Sequence, residues 1–500
     1  MRLKELIKDL KVKEVIGEGN PEIAGLAYDS RKVNKGFAFF ALIGCRDDGH
    51  RYISEAVERG AKVIVSQKES FLGKEVIQVI VSDSRTTLSI IGERFYLLPS
   101  QVLKVWGVTG TTGKTTITYL MESILKEAKK SCGVIGTISY RLGERTISAL
   151  NTTPESLDLS CMLSEMKKEG CEFGILEISS QGISQGRISN IAFDGAIFSN
   201  IFPFEHLDYH KTMRNYLKSK LSLFDQYLSA STKKEKTGII NLDNPYSKHF
   251  IRACKLNQIS LITYGFSKKA MVRGEKILQT ETGFSLKIKS PWGEFPLCLP
   301  LFGTYNIYNT LAAASFGFSL GLPIEAIREG LQKIKTIPGR LETISAGQPF
   351  KVFADYAHTE ASLFNLLSTV RGLTEKRVIL LFGCGGDRDR KKRPLMGRVG
   401  VKMADYVILT SDNPRSEDPL SIIKEIKRGI GWMSRKKSEV ILKRGEAIEK
   451  ALRIAKEGDV VVLAGKGHET YQIFKDRVVP FDDRIVARKI LENIYGRGES

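Results

Sequence analysis

The run Gly107-Val-Thr-Gly110-Thr111-Thr112-Gly113-Lys114-Thr115-Thr116 combines small residues, hydroxyls and one lysine at a spacing suited to holding phosphate. An apolar run at 102–108 precedes it and an amphipathic stretch at about 115–129 follows, so the chain turns there from strand to helix. Such a turn aims backbone N–H groups and a helix N-terminus at an anion. Lys114 is expected to meet the β- and γ-phosphates of a nucleotide, and the Thr115 hydroxyl to bind Mg2+. Val108 stands where the G-x-x-x-x-G-K-[ST] pattern carries its first glycine, so the flanking strand and helix carry this reading. Glu177, in Gly174-Ile-Leu-Glu177-Ile-Ser179-Ser180, puts a carboxylate at the C-terminal end of a buried strand, where α/β sheets bind ligands. His206 lies in Phe204-Glu-His206-Leu-Asp208, and Lys220 follows in a helical stretch at 213–227. Taken alone, these read equally well as a paired structural carboxylate, a loop histidine and a surface lysine.

Further along, Asn306 and Asn309 stand at the head of a helix, three apart and so on one face. Asn306 also reads as an N-cap. Arg340 follows a Pro-Gly break at 338–339, and Asp355 begins Asp355-Tyr-Ala-His358. The basic run 383–397, Gly-Cys-Gly-Gly-Asp-Arg388-Asp-Arg-Lys-Lys-Arg-Pro-Leu-Met-Gly, has no aromatic interleaved, which argues against a nucleic-acid surface.

The elements that must position these groups are legible as alternating strands and helices. Strand-like runs fall at 37–43, 62–65 and 76–81, then at 102–108, 174–178, 195–198 and 238–242. A hairpin at 284–301 turns at Pro291-Trp292-Gly293 and leads to helices at 306–320 and 324–334. Beyond the break at 337–339, runs at 352–356, 378–382, 406–410 and 460–464 alternate with helical stretches. That alternation predicts parallel sheets in doubly wound α/β layers. At 500 residues the chain exceeds one core and predicts about three domains, at 1–100, 101–337 and 338–500.

Composition narrows the class. The apolar share of 42% and charged share of 26% are those of a globular protein. No secretory h-region opens the chain, and no apolar stretch approaches the roughly 18 residues of a membrane span. The seven scattered cysteines, without a close pair, predict reduced thiols in a cytoplasm rather than disulfides or a zinc site. The net charge of +20 reads as nucleic-acid binding, as a solvated surface, or as attraction for polyanionic small substrates; no nucleic-acid motif accompanies it.

The loop at 107–116 resembles the ATP loop of the Mur ligases and of the related folylpolyglutamate synthetases. The resemblance implies a small N-terminal α/β domain, a central P-loop ATPase-like domain with a parallel sheet, and a C-terminal Rossmann-like domain. It assigns ATP to Gly110, Thr111, Thr112, Gly113, Lys114, Thr115, Thr116, Asn306, Asn309, Arg340 and Asp355. It implies Mg2+ on Thr115, Glu177, His206 and a carbamylated Lys220 (N6-carboxylysine), with Lys114, Glu177, His206 and Lys220 catalytic. A desolvated lysine loses its proton at neutral pH, and only the neutral amine attacks CO2. Ser219 stands where the family often has alanine before this lysine, and Lys218 is the alternative.

Tyr28-Asp-Ser30-Arg31 and Leu42-Ile-Gly-Cys45-Arg46-Asp47-Asp-Gly-His-Arg-Tyr52 resemble the uridine-binding parts of the family member that adds the third residue of the peptide. Asn151-Thr152-Thr153-Pro154, with Ser179, Gln185 and Arg187, resembles its muramoyl-dipeptide contacts. Cys45 departs from the more polar residue common there. Arg388, with Asp412-Asn413-Pro414-Arg415 and Gly465-Lys-Gly-His-Glu469, resembles the loops of the type that adds meso-diaminopimelate. The function implied is ATP-dependent amide formation through an acyl phosphate, in the cytoplasm and on small-molecule substrates, with neither nucleic acid nor a membrane span. Lysine as the added residue, or a folylpolyglutamate-type reaction, are the alternatives, and a monomer is compatible with the sequence.

Overall fold

The computed structural model describes residues 1–44, 47–73, 75–203 and 207–496. It divides into two compact units, one of residues 1–273, 290–293 and 311–330, the other of 274–289, 294–310 and 331–500.

The first unit opens with a five-stranded sheet in the order Val12–Ile16, Ile77–Val81, Val63–Ser66, Phe37–Phe40, Gly25–Ala27. The first pair is antiparallel and the others are parallel. Its β-branched runs are buried on both faces, as a covered parallel sheet requires.

The same unit holds a second sheet, whose parallel strands run Ser260–Gly265, Thr237–Asn241, Phe193–Phe198, Lys104–Thr109, Phe173–Ile178, Cys132–Ile135. Two antiparallel strands, Ser139–Leu142 and Arg145–Ser148, extend it. Lys104–Thr109 lies between Phe173–Ile178 and Phe193–Phe198, and Thr109 is in register with both Ile178 and Phe198. The C-terminal ends of these strands therefore meet at one place, which is where the loop begins. Close approach is built in, because a Cβ on Gly195 would sit 2.4 Å from the Trp106 ring. One face is sealed by Phe198 stacked on Phe250 at 3.8 Å, with Phe224 edge-on to Phe250 at 5.2 Å.

The stretch at 213–227, expected as one helix, is an α-helix over Met213–Ser222 that widens into a π-helical turn over Leu223–Leu228. The wider turn directs Leu223, Phe224 and Leu228 into the core while Lys220 stays buried one turn earlier. The strand expected at 102–108 begins later, at Lys104, since Pro99 starts a short helix through Val102.

The second unit carries a six-stranded sheet ordered Glu342–Thr343, Lys351–Asp355, Val460–Ala464, Val378–Phe382, Tyr406–Leu409, Ser438–Val440. All neighbours but the first pair are parallel. Separate apolar cores cover its two faces, one around Leu363, Leu367 and Ile426, the other around Ile448, Leu452 and Leu491. This is the doubly wound arrangement the alternating pattern predicts. The hairpin strands Gly283–Ser290 and Gly293–Leu299 form as expected about Pro291-Trp292-Gly293. Among the described residues no helix is long and apolar enough to cross a membrane.

Candidate active site

The glycine–threonine loop leaves strand Lys104–Thr109 and enters helix Lys114–Glu127 through Gly113, whose φ of +88° suits glycine. Gly110 has no room for a side chain, since a Cβ there would lie 1.8 Å from Ser199 Oγ. The loop is strapped to residues after the neighbouring strand. Thr111 N–H donates to the Asn200 carbonyl (2.9 Å), and Thr112 N–H to Asn200 Oδ1 (3.0 Å). The Thr112 carbonyl accepts from Ser199 Oγ (2.7 Å) and Asn200 Nδ2 (3.3 Å). Sequence reading missed both residues; a serine–asparagine pair directly after an apolar strand is the signal it passed over.

Lys114 Nζ donates to the carbonyls of Gly110 (3.0 Å) and Thr111 (3.2 Å). Lys220 Nζ donates to the same Gly110 carbonyl at 2.8 Å. Lys220 is 1% exposed and lies 4.9 Å from the Tyr216 ring, one helical turn back, while the Tyr216 hydroxyl bonds to Thr111 Oγ1 at 2.8 Å. Burial, and after it the charge of Lys114, hold the Lys220 amine well below the usual lysine range. Lys220 is thus no surface lysine, whereas the alternative Lys218 is exposed.

Glu177 is buried at the end of its strand. Its Oε2 accepts from Thr115 Oγ1 (3.0 Å) and Thr137 Oγ1 (2.8 Å), and Oε1 from Thr137 N–H (3.0 Å). Thr137 Oγ1 also meets Thr152 Oγ1 at 3.1 Å, so one chain of hydrogen bonds joins the 151–154 loop to the phosphate loop. Gly136 allows it, as a Cβ there would come 2.2 Å from Glu177 Oε1. A carboxylate and a threonine hydroxyl already in contact are hard oxygen donors of the kind Mg2+ takes, so the residues present fit that ion. His206, expected beside them, lies outside the described residues.

Thr153 Oγ1 donates to the Glu177 carbonyl (2.9 Å) and accepts from Ser179 N–H (2.9 Å). Ser179 in turn caps the helix Ser180–Ser184, and Gln185 closes it. Arg187 donates through Nη1 to the Thr153 carbonyl (2.6 Å), and its buried Nε has no hydrogen-bond partner among the described residues. Asn151 is exposed, its carbonyl held by the Tyr140 hydroxyl at 2.6 Å. In the N-terminal sheet region, Tyr28 donates to Asp158 (2.5 Å), Ser30 to Glu55 (2.8 Å), and Asp47 accepts from Tyr52 (2.7 Å). Cys45 and Arg46 lie outside the described residues.

The second unit gathers its own set. Asn306 and Asn309 are buried at the head of helix Thr304–Ser319, Asn309 Nδ2 donating to Asn306 Oδ1 at 2.9 Å. Asn306 Nδ2 donates to the Phe302 carbonyl at 2.7 Å, tying the asparagine back to the chain before the helix. Asp355 accepts from the backbone N–H of Leu341 (2.7 Å) and Ala357 (2.8 Å), and Arg340 lies over the Tyr356 ring at 5.2 Å.

Around the 383–387 turn, Gly386 N–H donates to the Asn413 carbonyl (2.9 Å), and Arg415 Nη1 to the Gly386 carbonyl (2.8 Å). Gly385 makes room, since a Cβ there would lie 2.8 Å from Arg415 Nη1 and 3.7 Å from Arg388 Cγ. Arg415 itself has a φ of +53° and donates its N–H to the Ile473 carbonyl at 3.0 Å. Pro414 is buried before it, and Gly465 approaches Asp412 so closely that a Cβ would lie 2.7 Å from Oδ2. Asn413 Nδ2 donates to Glu469 Oε2 at 2.7 Å. The structure therefore brings together Arg388, Asp412, Asn413, Arg415, Gly465 and Glu469 from separate loops.

Comparison with known proteins finds the Mur ligase family catalytic domain over residues 22–96, the Mur ligase middle domain over 108–317, and the Mur ligase glutamate ligase domain over 339–467. A UDP-N-acetylmuramoyl-L-alanyl-D-glutamate–2,6-diaminopimelate ligase of Geobacillus kaustophilus is 43% identical over 98% of this chain and 99% of its own. A solved structure of a ligase of that name shares 31% identity, covers 94% of this chain and 95% of the other, and has a TM-score of 0.66. The MurF ligase of Thermotoga maritima, solved in complex with ADP, shares the fold at 19% identity and a TM-score of 0.65, over 94% of this chain and 98% of its own.

Proposed function

The chain belongs to the Mur ligase family, and on that premise we propose that it joins meso-diaminopimelate to UDP-N-acetylmuramoyl-L-alanyl-D-glutamate at the expense of ATP, a step in making peptidoglycan precursor. The observation that carries the reading is the juxtaposition at the strand ends: a phosphate loop, a buried lysine on its Gly110 carbonyl, and the Thr115–Glu177 pair. Segment 1–100 takes the uridine end of the substrate, 101–337 takes ATP, and 338–500 the amino acid. ATP and unpaired thiols both favour the cytoplasm as its setting.

A carboxylate has no leaving group good enough for attack by an amine, so the substrate carboxylate first takes the γ-phosphoryl of ATP, releasing ADP. The amine then adds to this acyl phosphate, and the tetrahedral intermediate expels phosphate. The chain's part is positioning and charge neutralisation. Loop N–H groups receive the phosphates, and Lys114 exchanges the carbonyls of Gly110 and Thr111 for phosphate oxygen. Arg187, Thr152, Thr153 and Ser179 orient the dipeptide. Thr115, Glu177 and the carbamate of Lys220 would hold Mg2+, which supplies neutralisation of phosphate charge when bound. The neutral Lys220 amine bonds to the carbon of CO2 and loses a proton, giving the anionic carbamate.

The test is mass spectrometry of the product formed from UDP-muramoyl-alanyl-glutamate, ATP and a mixture of amino acids. The expected product carries one diaminopimelate, with phosphate release dependent on both the nucleotide-linked dipeptide and the amino acid. A lysine adduct would change the assigned amino acid. Phosphate release stimulated by nucleic acid, with no adduct, would overturn the ligase reading.

A further inference from the structure

Lys466 lies between Gly465 and Gly467 and is fully buried. A buried ammonium has three N–H groups to satisfy. Here they meet the Tyr471 carbonyl (2.5 Å), Glu469 Oε2 (3.1 Å) and Asn413 Oδ1 (3.4 Å). Asn413 Oδ1 also receives Ile473 N–H at 3.0 Å, which fixes the amide so that its Nδ2 points to Glu469 Oε2 at 2.7 Å. Glu469 Oε2 is thus gripped twice, and its Oε1 makes no hydrogen bond among the described residues. The side chain of Glu469 is 15% exposed, whereas that of Lys466 is 0% exposed. One face of the carboxylate is anchored to a buried cation and the other is left for a ligand.

The surrounding backbone is arranged to admit this. Gly467, with a φ of +52°, has no space for a Cβ, which would come 2.7 Å from Tyr356 Cβ. The turn 465–469 therefore packs closely on Tyr356 while Lys466 within it reaches Asn413. Asn413 belongs to the same loop as Arg415, so Lys466 ties the carboxylate at Glu469 to the guanidinium loop.

We propose that Lys466 is a positioning and specificity-determining residue: its buried ammonium holds Glu469 as an ionised acceptor, Oε1 outward, for the distal ammonium of the incoming amino acid. The proposal rests on the ligase reading above and names a device that reading lacks. Burial raises the Glu469 carboxyl, Lys466 is the leading influence lowering it, and the nearby Asp412 charge raises it.

The test compares the wild-type chain with Lys466→Met, Lys466→Arg and Glu469→Gln in steady-state ligation across pH. Lys466→Met is expected to raise KM for diaminopimelate about 10-fold or more near neutral pH, leaving KM for ATP and for the nucleotide-linked dipeptide near wild type. Without its cation Glu469 holds its proton to higher pH, so the KM defect should shrink as pH rises. Lys466→Arg should retain part of the wild-type profile, and Glu469→Gln should show the same KM defect with that pH dependence gone. A folded Lys466→Met variant with the wild-type KM–pH profile would overturn the proposal. If that variant does not fold, a Glu469→Gln variant that keeps the wild-type KM for diaminopimelate overturns it instead. Failure of the wild-type chain to ligate any amino acid is a different result and strikes the ligase reading.

Discussion

At Gly110 one backbone oxygen receives both Lys114 and Lys220, and burial holds the amine of the deeper lysine well below the usual lysine range. Carbamylation of Lys220 is therefore expected to be visible as the added mass of one CO2 on that residue in bicarbonate-equilibrated protein. Lys220→Ala should lower ligation by about 1,000-fold or more, the scale on which a preorganised electrostatic group acts, with partial rescue by acetate or formate. Full activity of the variant without additive would remove the carbamate from the mechanism. The same lysine carries a stability signature. Its folded pKa is depressed, so the unfolded chain binds the extra proton, and stability of the CO2-free protein rises with pH from the lowered folded pKa up to about 10. Lys220→Met should melt higher than CO2-free wild type near neutral pH, and the gap should close as pH rises; parallel melting curves would contradict this. Arg415, anchored by Gly386 and Ile473, is the candidate partner for the far carboxylate of diaminopimelate. Loss of such a partner costs about 2–5 kcal/mol, so Arg415→Ala should raise KM for diaminopimelate roughly 30- to 5,000-fold while barely changing that for lysine. Equal use of lysine and diaminopimelate by the wild-type enzyme would defeat this assignment.

The elements matter because they hold flexible-looking loops in one shape. The phosphate loop owes its form to Ser199 and Asn200 as much as to its own glycines. Asn200→Ala removes side-chain bonds to both the N–H and the carbonyl of Thr112, each worth about 0.5–1.5 kcal/mol. KM for ATP is expected to rise about 10-fold, with binding of the nucleotide-linked dipeptide preserved in calorimetric titration. A parallel loss of both would indicate unfolding of the sheet instead. In the second unit, Arg444 and Asp483 form a fully buried ion pair, and Arg444 Nη2 also donates to the Ala464 carbonyl at 3.0 Å, just before the Gly465 turn. Asp483→Asn leaves that guanidinium without a counter-charge, a change that costs about 3–5 kcal/mol. Its midpoint in urea should fall accordingly, and a midpoint within error of wild type would show that the pair contributes little.

For the whole molecule the dominant quantity is the net charge of +20. Both proposed phosphorylated substrates are polyanions, and a field of this sign raises their encounter rate at low salt. Screening shortens its reach to about 10 Å at 0.1 M salt. kcat/KM for ATP and for the nucleotide-linked dipeptide should therefore fall several-fold as salt rises from about 0.05 to 0.3 M, whereas that for the zwitterionic amino acid should change less. Equal salt dependence for all substrates would point to a general effect on the protein.

The strands and the phosphate loop were legible because they are local: apolar runs at 378–382 and 460–464 became strands at those bounds, and a glycine-rich turn between strand and helix can have few shapes. Residue types with the needed chemistry were legible for the same reason. Lys220 shows the opposite case. By sequence it is one of 76 basic residues, and only the packing of its helix over the loop makes it a buried amine. The π-helical turn after it carries Phe224 edge-on to Phe250, a contact the helical period of the sequence does not encode. Arg415 is held left-handed with its N–H on the Ile473 carbonyl, a partner far along the chain that the local sequence does not reveal. Lys466 and Asn200 are not legible in the sequence because each role needs a partner brought from another loop, Asn413 for the one and Thr112 for the other. Local sequence determined which groups the chain offers; burial and long-range hydrogen bonds, which depend on how the sheets close, decided their charge and direction.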